Sequence, residues 1–361
     1  MPRPSRFHID LEALTHNFNE LSRLAGSRRK MAVVKANGYG HGAVACAQRL
    51  EAFVDAFAVA ITEEAIELRE AGIDKPVLVL QGPHSAEDVS AIARYKLWPA
   101  ISNYKQLEWC HKLTHNFDQV WLKVDTGMHR LGFDPKDVAH AQAKLHNLGV
   151  QNITLMSHLA DAEDVNSMLT KRQTLRWSDL LGSTTGTVEI DQGASFSNSA
   201  STIGAISPPE SWVRLGYSLY GGSLISLPPE LTLKPVMNFT SEVAAIRWIE
   251  SGETVGYGGR WVAKRRSRIA TIPVGYGDGY PRAAADGTPI GTPYGTVPLA
   301  GKVSMDMITA DVTDMPDIEF GTKVTLWGGT PSMDEVATYC GTIGYELCTR
   351  ITERTPRSFS R

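Results

Sequence analysis

The sequence predicts an α/β protein in two parts: a (β/α)8 TIM barrel over residues 10–235, followed by a mostly β domain over 236–361. Three observations carry this. Eight short apolar, β-branched runs alternate with helix-like stretches at spacings of roughly 20–35 residues, the pattern of parallel strands joined by helices. Near Lys234-Pro235 the texture changes to strand runs punctuated by Gly and Pro. The 361 residues, at roughly 150 per domain, fit two compact domains. An open doubly wound sheet is the structural alternative, but eight repeats over about 200 residues suit a closed barrel better.

In chain order, a strand-like segment at about Arg6–Ile9 is a candidate to join the second domain's sheet, and a helical stretch follows from Leu11 to about Ala25. Barrel strands are expected at Met31–Lys35, Ala56–Ala60, Pro76–Leu80, Leu97–Ile101, Val120–Val124, Ile153–His158, Thr187–Asp191 and Trp212–Tyr217. The intervening stretches Thr62–Ala71, Ser85–Tyr95, Asn103–Leu113, Pro135–Leu148 and Asp164–Leu181 read as helices, several opened by a capping Ser, Thr, Asp or Asn. In the second part the strand runs are Ser241–Ile249, Ser267–Val274, Val297–Leu299, Met307–Val312 and Lys323–Trp327.

Composition narrows the function classes. With 36 Lys+Arg against 39 Asp+Glu the formal charge is −3, and neither sign forms a long block, which argues against a nucleic-acid binder. No apolar run approaches the ~18 residues a membrane-spanning helix needs. The N-terminus is basic but is followed by Ile9-Asp10-Leu11-Glu12 rather than an apolar leader, so a cytoplasmic protein is expected. Cys46, Cys110, Cys340 and Cys348 have no zinc-ligand spacing and read as reduced, mostly buried thiols. Gly295–Val303 has the wrong spacing for a phosphate loop, and Gly216-Tyr-Ser-Leu-Tyr220 lacks the second glycine of a nucleophile elbow.

In such a barrel the chemistry sits where strands end at the C-terminal face. Strand one delivers Lys35 into a glycine-rich turn; strand five brings Lys123 and Asp125, with Arg130 just beyond; strand six ends in His158. The loop after strand seven carries Ser195, Ser197, Asn198 and Ser199, and strand eight gives Arg214, Gly216 and Tyr217. Hydroxyls and backbone amides at the ends of strands seven and eight are where barrels commonly hold a phosphate. A strand-end Lys beside a phosphate cup suggests pyridoxal phosphate, whose aldehyde carbon bonds to an amine.

Val34-Lys-Ala-Asn-Gly-Tyr-Gly-His-Gly42 resembles the cofactor-attachment signature of the alanine racemases. The likeness extends through Ile9-Asp-Leu, Lys123-Val-Asp-Thr-Gly-Met-His-Arg-Leu-Gly132, Met156-Ser-His-Leu159, Ser197-Asn-Ser199 and Val213-Arg-Leu-Gly216. In the second part it covers Val255-Gly-Tyr-Gly258, Gly275-Tyr-Gly-Asp-Gly-Tyr-Pro-Arg282, Val303-Ser-Met-Asp306 and Thr342–Glu346 leading to Arg354-Thr-Pro-Arg357. Departures are small: Gly38 stands where Ala is usual, and Thr355 where Val is usual.

The resemblance implies interconversion of L- and D-alanine through an external aldimine of pyridoxal phosphate, supplying D-alanine for peptidoglycan or serving alanine catabolism. Lys35 would carry the cofactor; Tyr39, Asn198, Ser199, Gly216, Tyr217 and Tyr345 would surround its phosphate; Arg214 would face the pyridine nitrogen. Racemisation needs a base on each face of the α-carbon, and Lys35 and Tyr257 match the family's pair, Tyr257 coming from a second copy of the chain in a homodimer. A tyrosine base requires neighbouring positive charge or hydrogen bonds, and His158, linked to Arg214, is expected to provide them. Arg130 and the Met305 N–H would hold the substrate carboxylate, with Asp306 in support and Tyr276 and Tyr345 narrowing the entrance. Lys123 matches a position carbamylated in several family members; the alternative is an unmodified Lys paired with Asp125. Other readings are a broader-specificity racemase or decarboxylase using the same cofactor, and a non-catalytic carrier of pyridoxal phosphate, although single-barrel carriers lack the second domain.

Overall fold

The computed structural model describes residues 3–111, 117–164, 166–184, 193–206 and 210–360. Eight parallel strands, Arg29–Val33, Ala56–Val59, Val77–Val79, Trp98–Ile101, Val120–Lys123, Ile153–Met156, Ala194–Ser195 and Trp212–Leu215, close into a barrel when the last pairs with the first. Apolar residues buried on both faces explain why these strands read as continuous hydrophobic runs. Trp98, Trp121 and Trp212 meet inside the barrel with ring centroids 5.5–6.2 Å apart.

The expected fold class is thus observed, with local differences. The seventh strand is the short Ala194–Ser195, so Ser195 belongs to a strand and not to the loop after it. The run Thr187–Asp191 and the helix end at Leu113 lie outside the described residues. The first strand stops at Val33, and Lys35 opens a tight turn instead of finishing the strand.

The first helix, Leu11–Ala25, shows how sequence fixes local structure. Asp10 caps it, its side chain accepting the N–H groups of Glu12 and Ala13 at 2.9 Å. Ala13, Leu14, Phe18, Leu21 and Ala25, spaced on one face, are buried. Gly26, at φ +61°, ends it in a conformation that favours glycine.

Beyond the barrel the chain is mostly β. A six-stranded sheet runs in the order Gly295–Pro298, Pro289–Thr292, Lys323–Trp327, Met237–Glu242, Arg6–Ile9, Arg357–Phe359. Arg6–Ile9 pairs antiparallel with Met237–Glu242 and parallel with Arg357–Phe359, so the first strand of the chain lies in the last sheet. The run expected over Ser241–Ile249 is two strands, Met237–Glu242 in this sheet and Ala245–Ile249 in a three-stranded sheet with Ser267–Ile272 and Ile308–Asp311. One buried cluster continues from the barrel through Phe7 into Phe239 and Trp327. Among the described residues no helix is long and apolar enough to cross a membrane.

Phe7 is fully buried, its ring centroid 4.3 Å from that of Phe239 and 6.4 Å from that of Trp327. Phe7→Ala is expected to cost about 3–5 kcal/mol of stability through the cavity it leaves. Urea unfolding checks this, and a loss under ~1 kcal/mol would mean that the strand does not anchor the sheet.

Candidate active site

At the C-terminal mouth of the barrel lies a cavity of about 520 Å³. Its lining includes Lys35, Tyr39, Lys123, Arg130, His158, Asn198, Ser199, Arg214, Gly216, Tyr217 and Tyr345. Strand ends far apart in sequence therefore converge, as barrel closure demands.

Each side chain is delivered by a local device. After Val33 the chain turns through Ala36, Asn37, Gly38, Tyr39 and Gly40, all at positive φ between 51° and 78°. This left-handed turn puts Lys35 and Tyr39 on one cavity wall, the Lys35 Nζ 5.9 Å from the Tyr39 ring centroid. His41 is fully buried with its Nδ1 2.8 Å from the Tyr39 carbonyl oxygen. In strand five's loop, Asp125 accepts the N–H groups of Gly127 and His129 at 2.9 and 3.0 Å, shaping the turn before Arg130.

Arg214 anchors the floor and is 4% exposed. Its Nη1 donates to Ser195 Oγ and its Nη2 to the Ser157 carbonyl, both at 2.6 Å, and Nη2 lies 3.4 Å from His158 Nδ1. Among the described residues nothing accepts its Nε–H. Ser199 Oγ accepts the Gly216 N–H at 2.8 Å, so these two expected phosphate donors are paired with each other. Asn198 caps the short helix Ser199–Ile203, accepting the Ser201 N–H at 3.0 Å. The Tyr217 ring stacks on Tyr345 with centroids 4.0 Å apart, and its hydroxyl donates to Asp334 at 2.7 Å. The hydroxyls of Tyr39 and Tyr345 have no hydrogen-bond partner among the described residues. A Cβ on Gly216 would come within 2.9 Å of the Tyr39 hydroxyl, so a side chain there would displace that hydroxyl from the cradle.

Lys35, Lys123, Arg130 and Arg214 make no ion pair with a carboxylate among the described residues, yet they act on one another. Burial, then Arg130, with Arg214 adding less, hold the Lys35 amine below its ordinary pKa, against an opposing pull from Glu64. Burial, then Arg214, Arg130 and Lys35, bring Lys123 down to about 8. Burial lowers Arg214 to about 10, which leaves it a cation at neutral pH. Such a cluster is built for anions.

Two expectations each lose one of their alternatives. His158 lies well below its ordinary pKa because of burial and then Arg214, Lys123 and Arg130, so it is neutral; the positive charge beside it belongs to Arg214. Lys123 does not pair with Asp125, whose oxygens receive Gly127, His129 N–H and the His129 ring instead.

Four expected site residues do not line the cavity. Tyr257 is 70% exposed and Met305 52% exposed on the second domain. Tyr276 and Met305 lie on neighbouring segments, where Tyr276 N–H donates to the Ser304 carbonyl at 3.1 Å and Gly277 N–H to that of Met305 at 2.9 Å. Asp306 pairs with Arg354. Conversely, reasoning from sequence passed over Glu210, whose Oε2 accepts the Phe196 and Ser197 N–H groups at 2.6 and 2.9 Å just before Asn198, and Glu64 and Asp334. Their only local signal is a carboxylate near a helix start or strand start.

The family model described as alanine racemase, N-terminal domain, matches residues 9–224, and that described as alanine racemase, C-terminal domain, matches 236–359. A curated alanine racemase of Xanthomonas axonopodis pv. citri (strain 306) is 40% identical over 99% of this chain and 96% of that protein. One of Alteromonas mediterranea is 41% identical over 99% of each. The solved biosynthetic alanine racemase from Pseudomonas aeruginosa superposes with a TM-score of 0.92 at 39% identity, covering 99% of this chain and 100% of that one. That from Acinetobacter baumannii gives 0.91 at 36%, with the same coverage.

The lowered Lys123 pKa has a defined linkage. The folded state favours the neutral amine, so burying the charged form costs stability below pH 8, and the cost fades as pH rises toward the ordinary 10.5. In cofactor-free protein and carbon-dioxide-free buffer, the stability deficit of wild type relative to Lys123→Met should shrink by roughly 3 kcal/mol from pH 7 to above pH 10. A deficit independent of pH, measured by urea unfolding, would contradict this placement of Lys123.

Proposed function

The chain belongs to the alanine racemase family across both of its domains, and from that premise we propose that it interconverts L- and D-alanine with pyridoxal phosphate held in the barrel cavity. The observation that carries this is the gathering of Lys35, Arg214, Lys123 and Arg130 around one cavity with unsatisfied hydroxyl donors.

The residues fit the cofactor. Lys35 offers an amine whose lowered pKa favours the nucleophilic form. The Tyr39 and Tyr345 hydroxyls, with the Ser199 O–H and the Tyr217 N–H, offer donors for a phosphate, the Gly216 N–H joining them if it leaves Ser199 Oγ, and Asn198 holds the adjoining helix start. Arg214 offers its free Nε–H to the ring nitrogen, and its permanent charge disfavours a proton there. Bound in this way, pyridoxal phosphate supplies the electron sink that acidifies the α-hydrogen of an amino acid.

The chain's own residues then manage the proton. Arg130, with the Met305 N–H supported by Asp306 from a second copy of the chain, fixes the substrate carboxylate and so orients the α-carbon. The Lys35 amine takes or gives the α-proton on one face, and the Tyr257 phenol of the second copy does so on the other. One C–H bond breaks and one forms, so atoms balance while configuration inverts. Tyr345 and the second copy's Tyr276 narrow the approach to favour a methyl side chain. His158, neutral and bonded to Arg214, keeps that guanidinium aligned. Because Tyr257 and Met305 lie outside their own chain's cavity, the complete site is a homodimer's. A carbamate on Lys123, formed from its neutral amine and carbon dioxide with loss of one proton, would set an anion beside the Arg130 and Arg214 cations and orient Arg130. Either direction of the reaction serves the cell, making D-alanine for peptidoglycan or consuming it in catabolism.

Optical rotation of L-alanine incubated with the cofactor-loaded protein should decay to zero. Lys35→Ala should abolish the decay, and Tyr257→Phe should slow it by about 10²–10⁴-fold while still exchanging the α-hydrogen of one enantiomer with deuterated solvent. Unchanged rotation in a chain that does bond the cofactor would redirect the proposal to another amino acid.

A further inference from the structure

One carboxylate outside the cavity bears directly on its chemistry. Glu64, in the first turn of the helix Thr62–Glu70, is partly buried. Its two oxygens serve two barrel segments: Oε1 accepts the Ala36 N–H at 2.6 Å, and Oε2 accepts the Ala60 N–H at 2.7 Å and that of Ile61 at 3.4 Å. Ala36 immediately follows Lys35 and is the first of the five left-handed residues.

That turn needs support. A left-handed conformation costs about 1–2 kcal/mol for each residue with a Cβ, and Ala36, Asn37 and Tyr39 all have one. Such a segment persists where its surroundings over-determine it. Most of its supports act on the later residues: Ala43 N–H bonds the Asn37 side chain at 2.8 Å, His41 sits against the Tyr39 carbonyl, and Arg357 Nε donates to the Gly40 carbonyl at 2.9 Å. The N–H at the leading end, beside Lys35, is held by Glu64.

We infer that Glu64 is a positioning residue whose carboxylate ties Ala36 to Ala60 across the mouths of the first two barrel strands and so sets the direction in which Lys35 enters the cavity. The inference rests on the reading of Lys35 as the cofactor-bearing lysine. The residue type follows from the groups it must bind, because two N–H donors on different segments require two acceptor oxygens on one side chain. A carboxylate has them, whereas an amide offers one and would turn its NH2 on the other donor. Bonds from N–H to an ionised acceptor are also the stronger kind. The negative charge is felt at Lys35, where it opposes the lowering caused by burial and Arg130.

The test compares wild type with Glu64→Ala, Glu64→Gln and, as a control on the same exposed turn, Glu63→Gln. Pyridoxal phosphate is added to each chain after removal of bound cofactor, and its covalent attachment to Lys35 is followed by absorbance. Amide hydrogen exchange is read by mass spectrometry on peptides spanning 34–43 and 57–62. Expected are attachment slowed about tenfold or more and exchange in both peptides accelerated about tenfold in Glu64→Ala, with Glu64→Gln intermediate and Glu63→Gln unchanged. In the loaded enzyme kcat should fall while KM for alanine stays within about twofold, since Glu64 reaches the reaction only through Lys35. Should Glu64→Ala fail to fold, the isosteric Glu64→Gln decides. A wild-type chain that bonds cofactor, with Glu64 variants matching it in attachment and exchange, would overturn this inference alone. A wild-type chain that never bonds cofactor would overturn it together with the reading beneath it.

Discussion

The left-handed turn from Ala36 to Gly40 is the constraint on which the site depends. Five consecutive residues at positive φ wind the chain through a left-handed turn, with Lys35 at its entry and Tyr39 within it on the same wall. The conformation is unfavourable for the three residues that carry a Cβ, so the fold surrounds it with fixed groups: a buried His41, the Asn37 side chain, Arg357 from the end of the chain and Glu64 from the next barrel unit. At Gly40 a Cβ would come within 1.9 Å of the Cys348 carbonyl oxygen, so barrel and second domain close on the turn together.

Charge is the second organising feature. Four cations collect at the barrel mouth without an ion-paired carboxylate among the described residues, an arrangement that costs stability in the empty protein and is offset when anions bind. The lowered pKa values of Lys35 and Lys123 express that cost. The same field keeps His158 neutral, so that the imidazole serves as a hydrogen-bonding partner of Arg214 rather than a second charge. Electrostatics thus acts on Lys35 itself, and backbone strain on the turn that follows it.

How much of this the sequence discloses depends on range. The barrel strands and the Leu11–Ala25 helix are legible because periodicity and caps act within a few residues. Lys35, Lys123, His158 and Arg214 are legible because they sit at strand ends, and barrel closure brings strand ends together. The seventh strand is not, since Ala194–Ser195 is two residues long and held by pairing with its neighbours rather than by its own pattern. Glu64, Glu210 and Asp334 are not, because the partners that matter at the site lie 28, 14 and 117 residues away and any exposed-looking carboxylate presents the same local signal. Tyr257, Tyr276 and Met305 are visible only through motif resemblance, and within one chain they stand apart from the cavity.

That separation makes the shared site the central claim, and it is tested most directly by complementation. Lys35→Ala and Tyr257→Phe chains, each impaired alone, are mixed, dissociated and reassociated with cofactor present, and alanine racemisation is measured. In a mixed pair one of the two cavities has Lys35 from one chain and Tyr257 from the other, so activity should recover to about a quarter of wild type after random reassortment. Mixed pairs that form, as native mass spectrometry would show, but regain no activity would contradict the account.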